Sequence, residues 1–239
     1  MSVLLLIRHG QARYLEPNYD RLSPLGEEQA RRLGDYWQRH GAAFDAVYCG
    51  PRERHARSSE IAGGVLRAAG RHWPEPVVLA EFDEYPAMEV LNAFLPVLRE
   101  RHEHVHTLAG AFARADGGPE RVQAADRLLR EVSQRWVAGE VGSPEIESWD
   151  AFCARVGRGL DRVRRDAPKS TRVAVFTSGG PLAAAARLAL GLTARATLDL
   201  TWSPRNTAWA EFLFSGDRFS LQSFNCHPHL EDPALWTYR

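Results

Sequence analysis

The chain has only one lysine. Apart from Lys169, every basic residue is an arginine, in a sequence of 239 residues with 30 basic and 30 acidic side chains. The formal net charge is zero, so no long-range field draws the protein to nucleic acid or to an anionic membrane surface. The arginine bias is weak support for phosphate recognition, because a GC-rich genome produces it too. Cysteine is also scarce. Cys49, Cys153 and Cys226 are odd in number and lack Cys-x-x-Cys spacing, which argues against a disulfide framework or a zinc site and fits a reducing compartment. The apolar run at residues 3–7 is too short for a secretory signal and is followed at once by Arg8 and His9. No stretch approaches a membrane span. The expectation is a cytoplasmic protein with neither nucleic acid nor membrane as a partner. Repeats and low-complexity segments are lacking as well.

What is present is ordinary globular material. A hydrophobic content of 44% and a charged content of 25% suit a domain long enough to bury a full core. The run at 3–7 reads as a buried parallel strand. A polar loop with Pro17, Asn18 and Asp20 follows. Ser23 caps a helix over 24–40, with Pro24 in its first position and Glu27 and Glu28 in its first turn. A strand at 44–48, a helix at 51–66 and a strand at 77–80 continue a βαβ alternation. Residues 85–146 break it with helical spacing (Leu91, Phe94, Leu95 and Leu98, then Leu128, Leu129 and Val132). We read them as a helical insertion in a single domain of residues 1–239. The insertion leaves the third strand where a ligand would sit, so it is either a lid or a cover for the sheet edge. The alternation resumes with a helix at 148–166, a central strand at 172–176, a loop at 177–180 and an alanine-rich helix from Pro181 to about Leu190. A hairpin of 207–214 and 218–224 closes the chain.

Chemistry concentrates at the strand ends, where open α/β sheets bind ligands. The first strand ends in Arg8-His9-Gly10. A histidine there can offer a ring nitrogen as nucleophile, and an arginine can fork onto phosphate oxygens. The second strand leads into a helix with Arg54 in its first turn. The third is followed by Glu81, then Asp83 and Glu84. The fourth is followed by Ser178-Gly179-Gly180 at a helix N-terminus. On one parallel rim these groups make a phosphate site with a nucleophile and an acid. Taken alone, the strand-end Arg-His is no more than a sheet cap. His102, His104 and His106 alternate as a metal pair on a strand would, but their polar, charged surroundings favour solvated side chains. His55 is read as packing or surface, Asn206 as a turn residue or a bond to the pocket backbone, and His229 as an anchor for the C-terminus with a smaller chance of reaching the pocket.

Leu6-Ile7-Arg8-His9-Gly10-Gln11, the helix start Leu22-Ser23-Pro24-Leu25-Gly26-Glu27-Glu28-Gln29-Ala30, the stretch Tyr48 to Glu60, Leu79-Ala80-Glu81-Phe82, and Asn225 with His229-Leu230 occur in that order. Together they resemble motifs of the histidine phosphatase superfamily, in its phosphoglycerate-mutase-like branch. The resemblance implies an α/β fold with a mostly parallel central sheet flanked by helices. It implies that His9 takes the phosphoryl group, that Arg8 and Arg54 hold phosphate oxygens, and that Glu81 protonates the leaving alcohol. It implies no metal or organic cofactor, and a small phosphorylated substrate.

One position departs from that pattern. The family's central strand usually ends in His-Gly, and here Ser178 and Gly179 stand instead. Ser178 can donate a hydrogen bond but carries no charge, so a weak phosphatase is expected, with Ser178 and Gly179 contacting the anion. The rival readings are a non-catalytic relative that binds a phosphorylated ligand or a protein, and a phosphoglycerate mutase. The second is disfavoured because the Arg-His-Tyr-Gly-type pattern is missing after the acid.

Overall fold

A strand that is apolar on both faces has to be covered on both, and β1 (Ser2–Arg8) meets that condition. Leu4 and Leu6 enter one buried cluster, Leu5 and Ile7 the other. The computed structural model describes residues 1–13 and 18–238; Pro17 of the expected loop lies outside them. Among the described residues, α1 (Pro24–Arg39) and α2 (Glu53–Ala68) cover one face, where Leu33, Trp37 and Leu66 meet Leu5 and Ile7. Helices α6 (Trp149–Asp166) and α7 (Gly179–Leu190) cover the other, with Phe152, Leu160 and Leu182 against Leu4 and Leu6.

The sheet is completed by β2 (Ala46–Cys49), β3 (Val77–Val78), β4 (Arg172–Thr177), β5 (Trp209–Ser215) and β6 (Arg218–Cys226). Its order is β3-β2-β4-β1-β5-β6. The first four of these are parallel, whereas β5 runs antiparallel to β1 and β6 antiparallel to β5. The fold is therefore the expected mixed α/β arrangement with a mostly parallel sheet. Register places Arg8 beside Thr177, and Cys49 beside Phe176. The carboxyl ends of β1, β2 and β4 thus share one rim.

Three helices fill the segment that breaks the alternation: α3 (Ala87–Arg101), α4 (Glu103–Arg114) and α5 (Gly118–Val137). They pack on one another, and Leu98, Val105 and Leu128 join the cluster that holds Phe152. His104 and His106 fall in helix α4, not on a strand. His102 bonds Glu140 instead, and no three metal-binding side chains cluster among the described residues. No described helix is long and apolar enough to cross a membrane.

Local differences from the expected elements have physical reasons. β3 is reduced to two residues because the chain turns into a single 3-10 turn at Ala80–Phe82 that buries Phe82. α7 starts at Gly179, before Pro181, since proline fits a helix's first turn. α8 (Ala194–Thr201), capped by the Thr193 side chain, was not expected; it spans only eight residues. β5 begins after Thr207, whose φ of 60° is not a strand conformation.

The start of α1 is docked on the turn after His9. Ser23 caps it through the Gly26 amide at 3.0 Å, and the Gln11 amide donates to Gln29 Oε1 at 2.8 Å. A Cβ on Gly26 would overlap the carbonyl of Gln11, and one on Gly10 the carbonyl of Gly26. Gly64 in α2 has open space around the same position. Gly26→Ala should therefore cost about 1–3 kcal/mol through overpacking. Gly64→Ala should be neutral or gain up to about 1 kcal/mol from helix propensity. Urea denaturation of both variants checks this; equal effects would contradict the docking argument.

Candidate active site

A cavity of about 200 Å³ opens at the shared rim, and Arg8, His9, Arg54, Glu84 and Gly179 are among the residues that line it. His9 is almost fully buried. Its amide donates to Thr177 O at 2.9 Å, while its carbonyl accepts from Thr207 N at 3.2 Å and Asn206 Nδ2 at 3.1 Å. The ring is held through Nδ1, 2.6 Å from Gly10 O. A carbonyl only accepts, so Nδ1 carries the proton and Nε2 the lone pair. Burial first, then the charges of Arg54 and Arg8 and the neighbouring His55, push the His9 pKa well below its usual 6.5, against the opposing Gly10 bond. At neutral pH the ring is uncharged, with its lone pair on Nε2.

The two arginines are fixed from different parts of the chain. Arg8 donates to Pro204 O at 2.5 Å and to Tyr238 O at 2.7 Å. The C-terminal segment that supplies Tyr238 is itself anchored: Thr237 O accepts from Asn206 N at 2.9 Å, and Gln29 Nε2 donates to Leu235 O at 2.7 Å. Arg54 sits in the first turn of α2, ion-paired with Asp20 at 2.7 Å and stacked over Tyr19 at 5.1 Å. Asp20 also accepts from the Glu53 amide at 2.9 Å, so one carboxylate holds both the helix start and the arginine. The Nε of Arg54 is buried with no hydrogen-bond partner among the described residues.

Glu81 does not line the cavity; its Cβ lies against Gly159 of α6. The 3-10 turn directs Phe82 inward and Glu81 toward α6, and the extended residues that follow bring Glu84 to the rim. Arg155 of α6 clamps this stretch, donating to the carbonyls of Ala80, Glu81, Asp83 and Glu84 at 3.1–3.4 Å while gripping Glu147. The Glu84 carboxylate accepts from Tyr85 N at 3.0 Å and from Gly180 N at 3.2 Å. A Cβ at position 180 would collide with it. Burial pushes its pKa up, partly offset by the Gly180 and Tyr85 bonds and by Arg54 and Arg8.

Ser178 is placed behind the cavity wall, not on it. Its Oγ lies 2.6 Å from His55 Nε2 and 3.4 Å from Arg54 Nη2, while Gly179 reaches the cavity. His55, read from sequence as packing or surface, is fully buried with its ring 5.7 Å from that of His9. Its position next to Arg54 in the first turn of α2 was the available signal. Burial, Arg54 and Arg52 lower its pKa well below 6.5. Asn206 bonds the His9 carbonyl, as one of its two readings anticipated. His229 stays outside the cavity, bonded to Thr207 at 2.7 Å and stacked on Trp209.

The sequence profile of the histidine phosphatase superfamily (branch 1) matches residues 4–90 and 110–227. The chain belongs to this superfamily. Solved structures share its fold at low identity. A phosphoserine phosphatase from Entamoeba histolytica, solved with 3-phosphoglyceric acid, is 19% identical with a TM-score of 0.62, covering 96% of this chain and 100% of its own. A mycobacterial glucosyl-3-phosphoglycerate phosphatase is 17% identical with a TM-score of 0.62, covering 93% and 98%. A phosphoglycerate mutase from Bacillus anthracis is 16% identical with a TM-score of 0.63, covering 96% and 95%. No curated protein matches the chain in sequence. The final residues, which hold Arg8, lie beyond the part matched to the superfamily.

Three buried histidines carry depressed pKa values in this superfamily member: His9, His55, and His229, whose burial brings it to about 3. Each ring takes up its proton near pH 6.5 in the unfolded chain but not in the folded one. The stability tied to their neutral state is complete above pH 6.5 and is lost as pH falls toward the native values. Each contributes a loss of up to about 1.4 kcal/mol per pH unit in that window. Unfolding free energies from urea titration should fall by about 3–4 kcal/mol between pH 7.5 and 5.5. A flat profile would show that the rings are charged in the native state.

Proposed function

We propose that this protein is a phosphohydrolase that cleaves a small phosphomonoester through a phosphohistidine on His9. The observation that carries the reading is the placement of the His9 ring: buried, its Nδ1 held by Gly10 O, in a cavity shared with two arginines. In the first step Nε2 attacks phosphorus and the ester P–O bond breaks. Glu84 gives its proton to the departing oxygen. In the second step a water attacks the phosphohistidine, Glu84 accepts its proton, and the N–P bond breaks as phosphate forms. Arg8 and Arg54 balance the charge on the transferring group, and the positive end of α7 adds to them. Splitting the displacement in two replaces one difficult step with two easier ones.

Glu84 takes the role that the resemblance gives to Glu81, because Glu84 lines the cavity and its burial favours the protonated form. Ser178, bonded to His55, occupies the sequence position of the family's second histidine. Both are neutral, so turnover is expected to be lower by about 10²–10³ than with a charged donor in that place.

The test uses leaving groups. His9→Ala should abolish turnover of every phosphomonoester. Glu84→Gln should slow alkyl phosphates by about 10²–10⁴ and aryl phosphates, whose leaving groups need little protonation, far less. Glu81→Gln should leave both rates unchanged. If Glu81→Gln instead produces the selective loss, the acid is Glu81 and the cavity rearranges to admit it. Binding of inorganic phosphate with no turnover of any ester would make the protein a ligand-binding relative.

A further inference from the structure

The cavity is lined by apolar side chains as well as by charged ones. Tyr85, Ala87, Met88, Leu129 and Trp202 line it beyond the arginines. These walls are held in place. The Tyr85 ring lies 6.0 Å from Trp136 and 5.8 Å from both Trp149 and Phe152. Trp202 carries the Arg130 guanidinium of α5 over its ring at 4.7 Å, tying the end of α8 to the helix that supplies Leu129. Met88, in the first turn of α3, is 46% exposed at the cavity, and its unbranched thioether adapts to a bound ring.

The charges in the walls have a consistent pattern. Glu89 lines the cavity and would repel a second anionic group on a substrate. Arg52 also lines the cavity, and its Nε donates to Asp83 at 2.5 Å, which offsets its charge. At about 200 Å³ the space is below the usual range for drug-sized ligands, about 300–1,000 Å³.

From these observations we infer that the substrate is the phosphomonoester of a small apolar alcohol, aromatic or branched alkyl, with no second anionic group. This inference rests on the phosphohydrolase reading and specifies its substrate class. Tyr85, Met88, Leu129 and Trp202 are its specificity-determining residues. Carboxylated phosphomonoesters such as phosphoglycerate or phosphoserine are poor substrates, since their carboxylate meets apolar side chains and Glu89.

Binding of non-hydrolysable phosphonates separates this inference from the reading beneath it. Calorimetry on the full chain would compare methylphosphonate, benzylphosphonate and 3-phosphonopropionate. Benzylphosphonate should bind about 10- to 150-fold more tightly than methylphosphonate, the worth of burying one ring. The carboxylated compound should bind no better than methylphosphonate. Leu129→Asp should erase the benzyl advantage; Met88→Asp, at an exposed position that does not threaten the fold, should reduce it. In turnover, benzyl phosphate should exceed glycerol phosphate by a similar factor, the two alcohols having comparable leaving ability. Equal binding of the methyl and benzyl compounds, or tightest binding of the carboxylated one, overturns the substrate class while leaving the phosphate site intact. Failure of all three to bind overturns the site and the inference together.

Discussion

Every backbone polar group from Arg8 to Gly10 is hydrogen-bonded, and the site depends on that. Arg8 N donates to Ala208 O and His9 N to Thr177 O; Gly10 N donates to Ser58 Oγ; the carbonyls of Arg8 and His9 accept from Thr207 N, and that of Gly10 accepts the His9 ring proton. The partners come from β4, α2 and the approach to β5. Such complete pairing is possible because β1 lies inside the sheet, parallel to one neighbour and antiparallel to the other. A side chain at the end of such a strand has little freedom, which is what a group that must meet a reacting atom within a few tenths of an ångström requires.

Around this fixed point the protein gathers charge at some cost. Burial first, and then two guanidinium groups beside the imidazole, keep the ring neutral, with its lone pair on Nε2. The same arginines offset part of the desolvation of Glu84. The arginines are held by acceptors of fixed geometry: Asp20 for Arg54, the carbonyls of Pro204 and Tyr238 for Arg8. Anion binding therefore needs little reorganisation, the condition under which oriented dipoles and charges act most strongly on a transition state.

How much of this could be read from the chain differs by kind of feature. The strand carrying Arg8 and His9 was legible because an unbroken apolar run stops abruptly at polar residues. The start of α1 was legible because Ser23, Pro24 and Glu27 agree on it. Glu84 was not, because a single 3-10 turn decides which of two carboxylates three residues apart faces the rim, and that turn is set by burial of Phe82 and the grip of Arg155 from 74 or so residues away. His55 was missed for a related reason: its meaning depends on Ser178, which is adjacent only after α2 and β4 have packed. The hold of the C-terminal segment on Arg8 runs through the backbone carbonyl of Tyr238, and such a contact leaves no signature in side-chain type.

The central claim is that the His9 Nε2 becomes covalently bound to phosphorus. Rapid-quench trapping of the full chain during turnover of an aryl phosphate, followed by peptide mass spectrometry under alkaline conditions, tests it most directly. The account predicts a phosphoramidate on His9 that is stable to base, lost in acid, and formed no more slowly than product appears. A phosphoryl group on Ser178 or on any other residue, or steady turnover with none trapped and none detectable by phosphorus NMR, would contradict it.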